Sequence, residues 1–152
     1  LDWKTANKIP WGMLVLVGAG LCLGEGFKQS GLSAKIAGVF SGIENLHLMV
    51  LRLGVCLLVT FLTEMTSNTA TTNVLMPILG AAATASNIDP ILLMIPAAMS
   101  ASCAFMLPVA TIPNAVVFGT GEVTVKRMAR EGVVLNLLGA LIISVICYFL
   151  LS

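Results

Sequence analysis

With 152 residues, 58% of them apolar and only 10% charged, and a mean hydropathy of +1.02, the chain lies outside the composition range of soluble domains, which need more polar surface. A net charge of +1 and a pI near 7.9 exclude a basic face for nucleic acid, since only Lys126, Arg127 and Arg130 form a cluster. Cys22, Cys56, Cys103 and Cys147 stand singly in apolar stretches, with no CxxC pair and only His47 as a companion. Zinc-ligand spacing is therefore absent, and the cysteines read as small core residues.

No charge falls within residues 9–24, 65–88, 90–121 or 132–152, and three of these runs exceed the ~18 residues that mark membrane insertion. The sequence opens on Leu1-Asp2-Trp3, with neither an initiator Met nor the pattern of a signal peptide, so it reads as starting within a longer protein. Transporters are commonly built from two related halves, and one half is the expectation here.

The first element, Ile9 to Gly24, is apolar and punctuated by Gly12, Gly18, Gly20 and Gly24, giving about 24 Å of closely packed membrane helix. Next, Leu32, Ile36, Val39, Phe40 and Ile43 recur at helical spacing while Lys28, Gln29, Ser33 and Lys35 fall elsewhere, which predicts an amphipathic helix along the interface. His47 and Arg52 read as interfacial anchors.

Residues 46–62 are mostly apolar, and 63–73 (TEMTSNTATTN) hold eight hydroxyl or amide side chains; 74–86 are apolar again. That pattern predicts a hairpin whose second arm, about 13 residues or about 20 Å, is too short for a hydrocarbon core of about 30 Å. The polar tip is then re-entrant, and backbone at that depth is tolerated only where protein or a watery cavity covers it. Glu64, the lone carboxylate near the tip, reads equally as a functional intramembrane acid or as the wet end of a helix.

Residues 90–121 are too long for one simple span and carry Pro96, Pro108 and Pro113. The stretch Pro108 to Asn114 predicts a discontinuous helix broken near the bilayer middle, with Pro96 a structural kink. Glu122 to Glu131 read as a charged connection, and Gly132 to Ser152 as a last span of about 30 Å. The fold class predicted is thus all-α: a polytopic membrane protein with a re-entrant hairpin and a discontinuous transmembrane helix. Its division is 1–45, a scaffold-side helix plus the interfacial helix, and 46–152, a transport half made of hairpin 46–88, broken helix 90–121 and last helix 132–152.

Lys4, Lys8, Lys126, Arg127 and Arg130 fall on one side of this topology and Lys28, Lys35 and Arg52 on the other. That bias places the first set in the cytoplasm and the C-terminus outside the cell membrane.

Two polar interruptions point to a transporter site near the membrane midplane. Half-helix N-termini offer N–H donors to an anion, while unwound carbonyls and Thr, Ser or Asn oxygens suit a hard cation. Residues 53–125 hold no Lys or Arg, so an anionic substrate would meet no cation from this chain. Co-bound sodium is the physical means of cancelling its charge. No nucleophile-base-acid set appears, so an enzyme is not expected. The alternative to transport is a non-transporting membrane subunit that packs against a partner.

The run Ala101-Ser-Cys-Ala-Phe105-Met-Leu-Pro108-Val-Ala-Thr-Ile-Pro113-Asn114-Ala-Val-Val117 resembles the signature of the divalent anion:sodium symporters, the INDY-like dicarboxylate, citrate and sulfate transporters. Ser67-Asn68-Thr69 resembles that family's SNT motif, in the same order and spacing, and the likeness covers the chain as the family's second inverted repeat. The resemblance implies sodium-coupled symport of di- or tricarboxylates such as succinate by an elevator motion. It implies a sodium ion held by Thr63, Asn68 and backbone carbonyls near Thr66 and Ala110. A substrate carboxylate would meet Ser67, Asn68 and Thr69 with the backbone of Thr111, Ile112 and Pro113. It also implies a homodimer and an N-terminal repeat carrying a second SNT.

Overall fold

The computed structural model describes residues 2–9, 11–32, 34, 35, 38 and 48–151. Among these the chain is all-helical, with α1 Trp3–Ala6, α2 Trp11–Gln29, α3 Leu48–Thr63, α4 Asn68–Ala85, α5 Ile91–Ser100, α6 Ile112–Gly119 and α7 Val125–Leu151.

α3 sits at the centre because one of its faces is closed by side chains three and four residues apart. Arg52, Val55, Cys56, Val59, Thr60 and Thr63 are buried, a stripe that turns from apolar to hydroxyl-bearing as it nears its C-terminus. Val55 and Val59 pack with Leu79 of α4 and Ala97 of α5, and Cys56 packs with Ala140, Ile143 and Cys147 of α7. α7 runs antiparallel to α3, since Ser144 Oγ donates to the carbonyl of Met49 while Asn136 meets Glu64.

Small residues set the closest approaches, as expected where lipid gives helices no hydrophobic drive to associate. α2 crosses α4 at Gly20 and Gly24, where an added Cβ would stand 2.2 Å from the carbonyl oxygen of Asn73 and 2.5 Å from Pro77 Cβ. Pro77 lies inside α4 and lacks an N–H, so the carbonyl of Asn73 loses its helical partner at this crossing.

The outward faces are apolar. On α7, Val134, Leu138, Leu141, Ile142, Phe149 and Leu150 are exposed, and Val125–Leu151 is, among the described residues, the one helix long and apolar enough to cross a membrane by itself.

The structure moves several expected boundaries. The polar run 63–73 is not all loop: Ser67 caps a helix by accepting from the N–H of Ala70 at 3.2 Å, so α4 begins at Asn68 and its 18 residues reach about 27 Å. The unwound tip shrinks to residues 64–67.

The break between α5 and α6 begins at Ala101, seven residues before Pro108, and Pro96 is buried within α5. The charged connection 122–131 is helical from Val125, because Thr124 caps α7 through the N–H of Arg127 at 3.3 Å and the following residues favour helix.

Arg52 is not an interfacial anchor. It is fully buried, its Nη1 donates to the carbonyl of Cys147 at 3.1 Å, and its guanidinium lies 6.0 Å from the ring centroid of Tyr148. The antiparallel packing brings the carbonyl-rich end of α7 to it, a favourable place for a cation. Cys56 and Cys147 are core residues as read, whereas Cys22 is exposed on α2. His47 and most of the expected interfacial helix lie outside the described residues.

Candidate functional site

A stretch of unwound backbone buried among helices must find partners for its N–H and C=O groups, and each one left unsatisfied costs roughly 1–3 kcal/mol. Between α5 and α6 that stretch is residues 101–111. The partners come from α3, from Glu64 in the tip, and from α6 and α7. Thr60 Oγ1 donates to the carbonyl of Ser100 at 3.5 Å and Thr63 Oγ1 to that of Ala101 at 2.9 Å. Both amide hydrogens of Asn114 are used, on the carbonyls of Ala104 at 2.8 Å and Leu107 at 3.0 Å. The N–H groups of Phe105 and Met106 donate to Glu64 Oε1 at 2.7 and 2.9 Å, and that of Leu107 to Glu64 Oε2 at 3.1 Å. Asn136 of α7 completes the set, its Nδ2 donating to Glu64 Oε1 at 2.8 Å.

The break is thus folded onto residues 63 and 64, one turn before α4 starts. Glu64 is 3% exposed, so the wet-helix-end alternative for it is excluded.

Of the residues expected to hold a cation, Thr63 and Asn68 are brought together: Thr63 Oγ1 lies 2.6 Å from Asn68 Oδ1 and 2.9 Å from the carbonyl oxygen of Ala101. A hydroxyl has one proton and cannot donate to both acceptors. The corner thus gathers the Thr63 hydroxyl, the Asn68 side-chain oxygen and the Ala101 carbonyl, a donor set that fits a hard cation. Ala101 in this corner was not foreseen.

Thr66 is nearby in the tip, with its hydroxyl on the carbonyl of Leu62 at 2.9 Å and in short contact with Thr71 Oγ1. Ala110 lies at the far end of the break, where its N–H donates to Leu107; among the described residues no hydrogen bond joins it to Thr63 or Asn68.

The residues expected to meet an anion sit at two helix N-termini. Ser67 is the N-cap of α4, with Asn68 and Thr69 in its first turn; Thr111 is the N-cap of α6, accepting from the N–H of Asn114 at 3.3 Å, with Ile112 and Pro113 following. Ser67, Thr69, Ile112 and Pro113 are exposed, so these turns are open for contact rather than packed away. Both helix starts issue from the joint at Glu64, one four residues along the chain from it and the other five residues beyond Leu107. No hydrogen bond among the described residues joins the two turns directly.

Sequence reasoning missed Asn114, Asn136 and Thr60 as parts of the joint. A lone amide within an apolar last span was the one readable signal for Asn136.

A chain that is all-helical among its described residues and whose apolar faces turn outward around two polar interruptions has the build of a membrane transport protein. The family described as sodium:sulfate symporter transmembrane region matches residues 1–150. The sodium-dependent dicarboxylate transporter SdcS of Staphylococcus saprophyticus is 47% identical over 150 residues, which is 99% of this chain and 29% of that protein. SdcS of Staphylococcus aureus strain MRSA252 is 42% identical over 151 residues, again 99% of this chain and 29% of the relative. The chain belongs to this symporter family, whose matched members are named as transporters and not as enzymes. It spans less than a third of the length of those relatives.

Proposed function

We propose that this chain belongs to the second half of a sodium-coupled symporter that moves small dicarboxylates such as succinate across the cell membrane. In this reading α3, the tip 64–67 and α4 form a re-entrant hairpin within 46–88. α5 and α6 are the halves of a discontinuous transmembrane helix within 90–121. Together with the last helix they make the moving transport half, while residues 1–45 belong to the scaffold. A homodimer, a complementary N-terminal repeat, an elevator motion and an extracytoplasmic C-terminus complete it.

The observation that carries the proposal is the oxygen corner of Thr63, Asn68 and Ala101, in which Asn68 is also the first residue of α4. Sodium binds the corner, with Thr66 and Ala110 supplying further carbonyls. Its charge, together with the N–H groups after Ser67 and Thr111, receives one carboxylate of the substrate, contacted by Ser67, Asn68, Thr69, Thr111, Ile112 and Pro113. Because this chain offers no Lys or Arg between residues 53 and 125, the ion and the anion stabilise each other, with sodium binding first and the anion following. The names of the SdcS relatives agree with a sodium and dicarboxylate pair.

Thermal unfolding of the full-length transporter tests this. A ligand at a hundred times its dissociation constant stabilises the folded state by about 2.7 kcal/mol. Sodium should raise the unfolding midpoint, and succinate should raise it further only when sodium is present. No shift with either would assign the chain to a non-transporting membrane subunit.

A further inference from the structure

We infer that Glu64 is a positioning residue for ion binding: its carboxylate holds the break between α5 and α6 against the tip before α4, and so keeps the oxygens of Thr63, Asn68 and Ala101 converged. This rests on reading that corner as the sodium site.

Three consecutive backbone N–H groups, those of Phe105, Met106 and Leu107, point at one spot. Such a concavity is an anion-binding nest. Here the chain's own carboxylate fills it, with Asn136 closing the fourth side. The nest is therefore not offered to a substrate, whose carboxylate is left to the N-termini of α4 and α6.

Glu64 follows Thr63 in sequence, and the two residues grip the break at two places. Thr63 takes the carbonyl of Ala101 where the break begins, and Glu64 takes the N–H groups at its middle. Releasing the second grip frees residues 105–107 to move and, four residues upstream, the carbonyl on which the corner depends. The grip cannot be passed to a neighbour, because no other carboxylate lies between residues 45 and 88. Hydrogen bonds to an ionised group are roughly twice as strong as neutral ones, so an amide of the same shape is a poor substitute. Glutamine keeps one acceptor oxygen and turns its NH2 toward N–H donors that need an acceptor.

The test measures succinate uptake by the full-length transporter in proteoliposomes as a function of external sodium, for wild type, Glu64→Gln and Glu64→Asp. Glu64→Gln is expected to raise the half-saturating sodium concentration at least tenfold, with the rate at saturating sodium within threefold of wild type. Glu64→Asp keeps the charge on a shorter arm and falls between the two.

An unchanged sodium requirement in Glu64→Gln, with only a lower maximal rate, overturns the proposal and leaves Glu64 a structural residue. Should Glu64→Gln fail to reach the membrane, Asn136→Ala removes one of the four donors and is read the same way, with a rise of about threefold expected from a weakened network. Wild-type sodium dependence in that variant, or loss of both variants from the membrane, likewise overturns the proposal. Sodium-independent uptake by the wild type is a different outcome, for it removes the ion site itself.

Discussion

Asn114→Ala is expected to destabilise the full-length transporter by about 2–6 kcal/mol and to reduce dicarboxylate uptake to background. Asn114 is buried, and its amide donates both hydrogens, to the carbonyls of Ala104 and Leu107. Alanine leaves two acceptors without a donor, at roughly 1–3 kcal/mol each. Asn114→Asp is not a rescue, since it sets an oxygen against a carbonyl. The loss should be visible as a lower unfolding midpoint in detergent and as reduced uptake per molecule of protein in the vesicle. Wild-type stability in Asn114→Ala would mean that those carbonyls find partners elsewhere and that Asn114 does not hold the break.

The second large effect is expected at Gly132, where α7 crosses the same break. A Cβ there would lie 2.4 Å from the carbonyl oxygen of Phe105 and 2.6 Å from Met106 Cα. Both obstacles are backbone atoms, and the N–H groups of those two residues are held on Glu64, so the break can yield only by giving up those hydrogen bonds. Overpacking typically costs about 1–3 kcal/mol, and a clash with tethered backbone belongs at or above the upper end. Gly132→Ala should therefore lower both stability and uptake, and Gly132→Val should abolish them. Gly139→Ala serves as the control on the same helix, because its Cβ would meet Cys103 Sγ at an ordinary 3.6 Å. Equal behaviour of the two alanine variants would contradict the close packing of α7 on residues 105 and 106.

The sequence was most readable where one kind of residue persists over a whole element. The last span and the alternation of apolar arms around TEMTSNTATTN were visible because membrane helices leave long charge-free runs. Boundaries read less well. A run of Thr and Asn looks like loop by propensity, yet a single Ser67 cap starts α4 in its middle. The prolines drew the break toward 108, whereas unwinding begins at Ala101, where only small residues mark it and the partners that permit it come from elsewhere in the chain.

Those partners explain why the joint itself was hidden. Glu64 meets Asn136 across 72 positions of sequence, and Arg52 meets Cys147 across 95. No local period carries such pairings. Thr63 and Asn68 were legible as a pair because the family resemblance names them. The third oxygen, from Ala101, belongs to backbone and has no residue type to betray it.

The corner of Thr63 and Asn68 is proposed to bind the sodium that drives dicarboxylate entry. Uptake of labelled succinate by the full-length transporter in proteoliposomes tests it most directly, with sodium or potassium outside, in wild type, Thr63→Ala and Asn68→Ala. The prediction is uptake in sodium alone for the wild type, and a half-saturating sodium concentration raised by about tenfold or more in each variant, the loss of roughly 1.4 kcal/mol of ion binding. Equal uptake in potassium, or a wild-type sodium requirement in both variants, would contradict it.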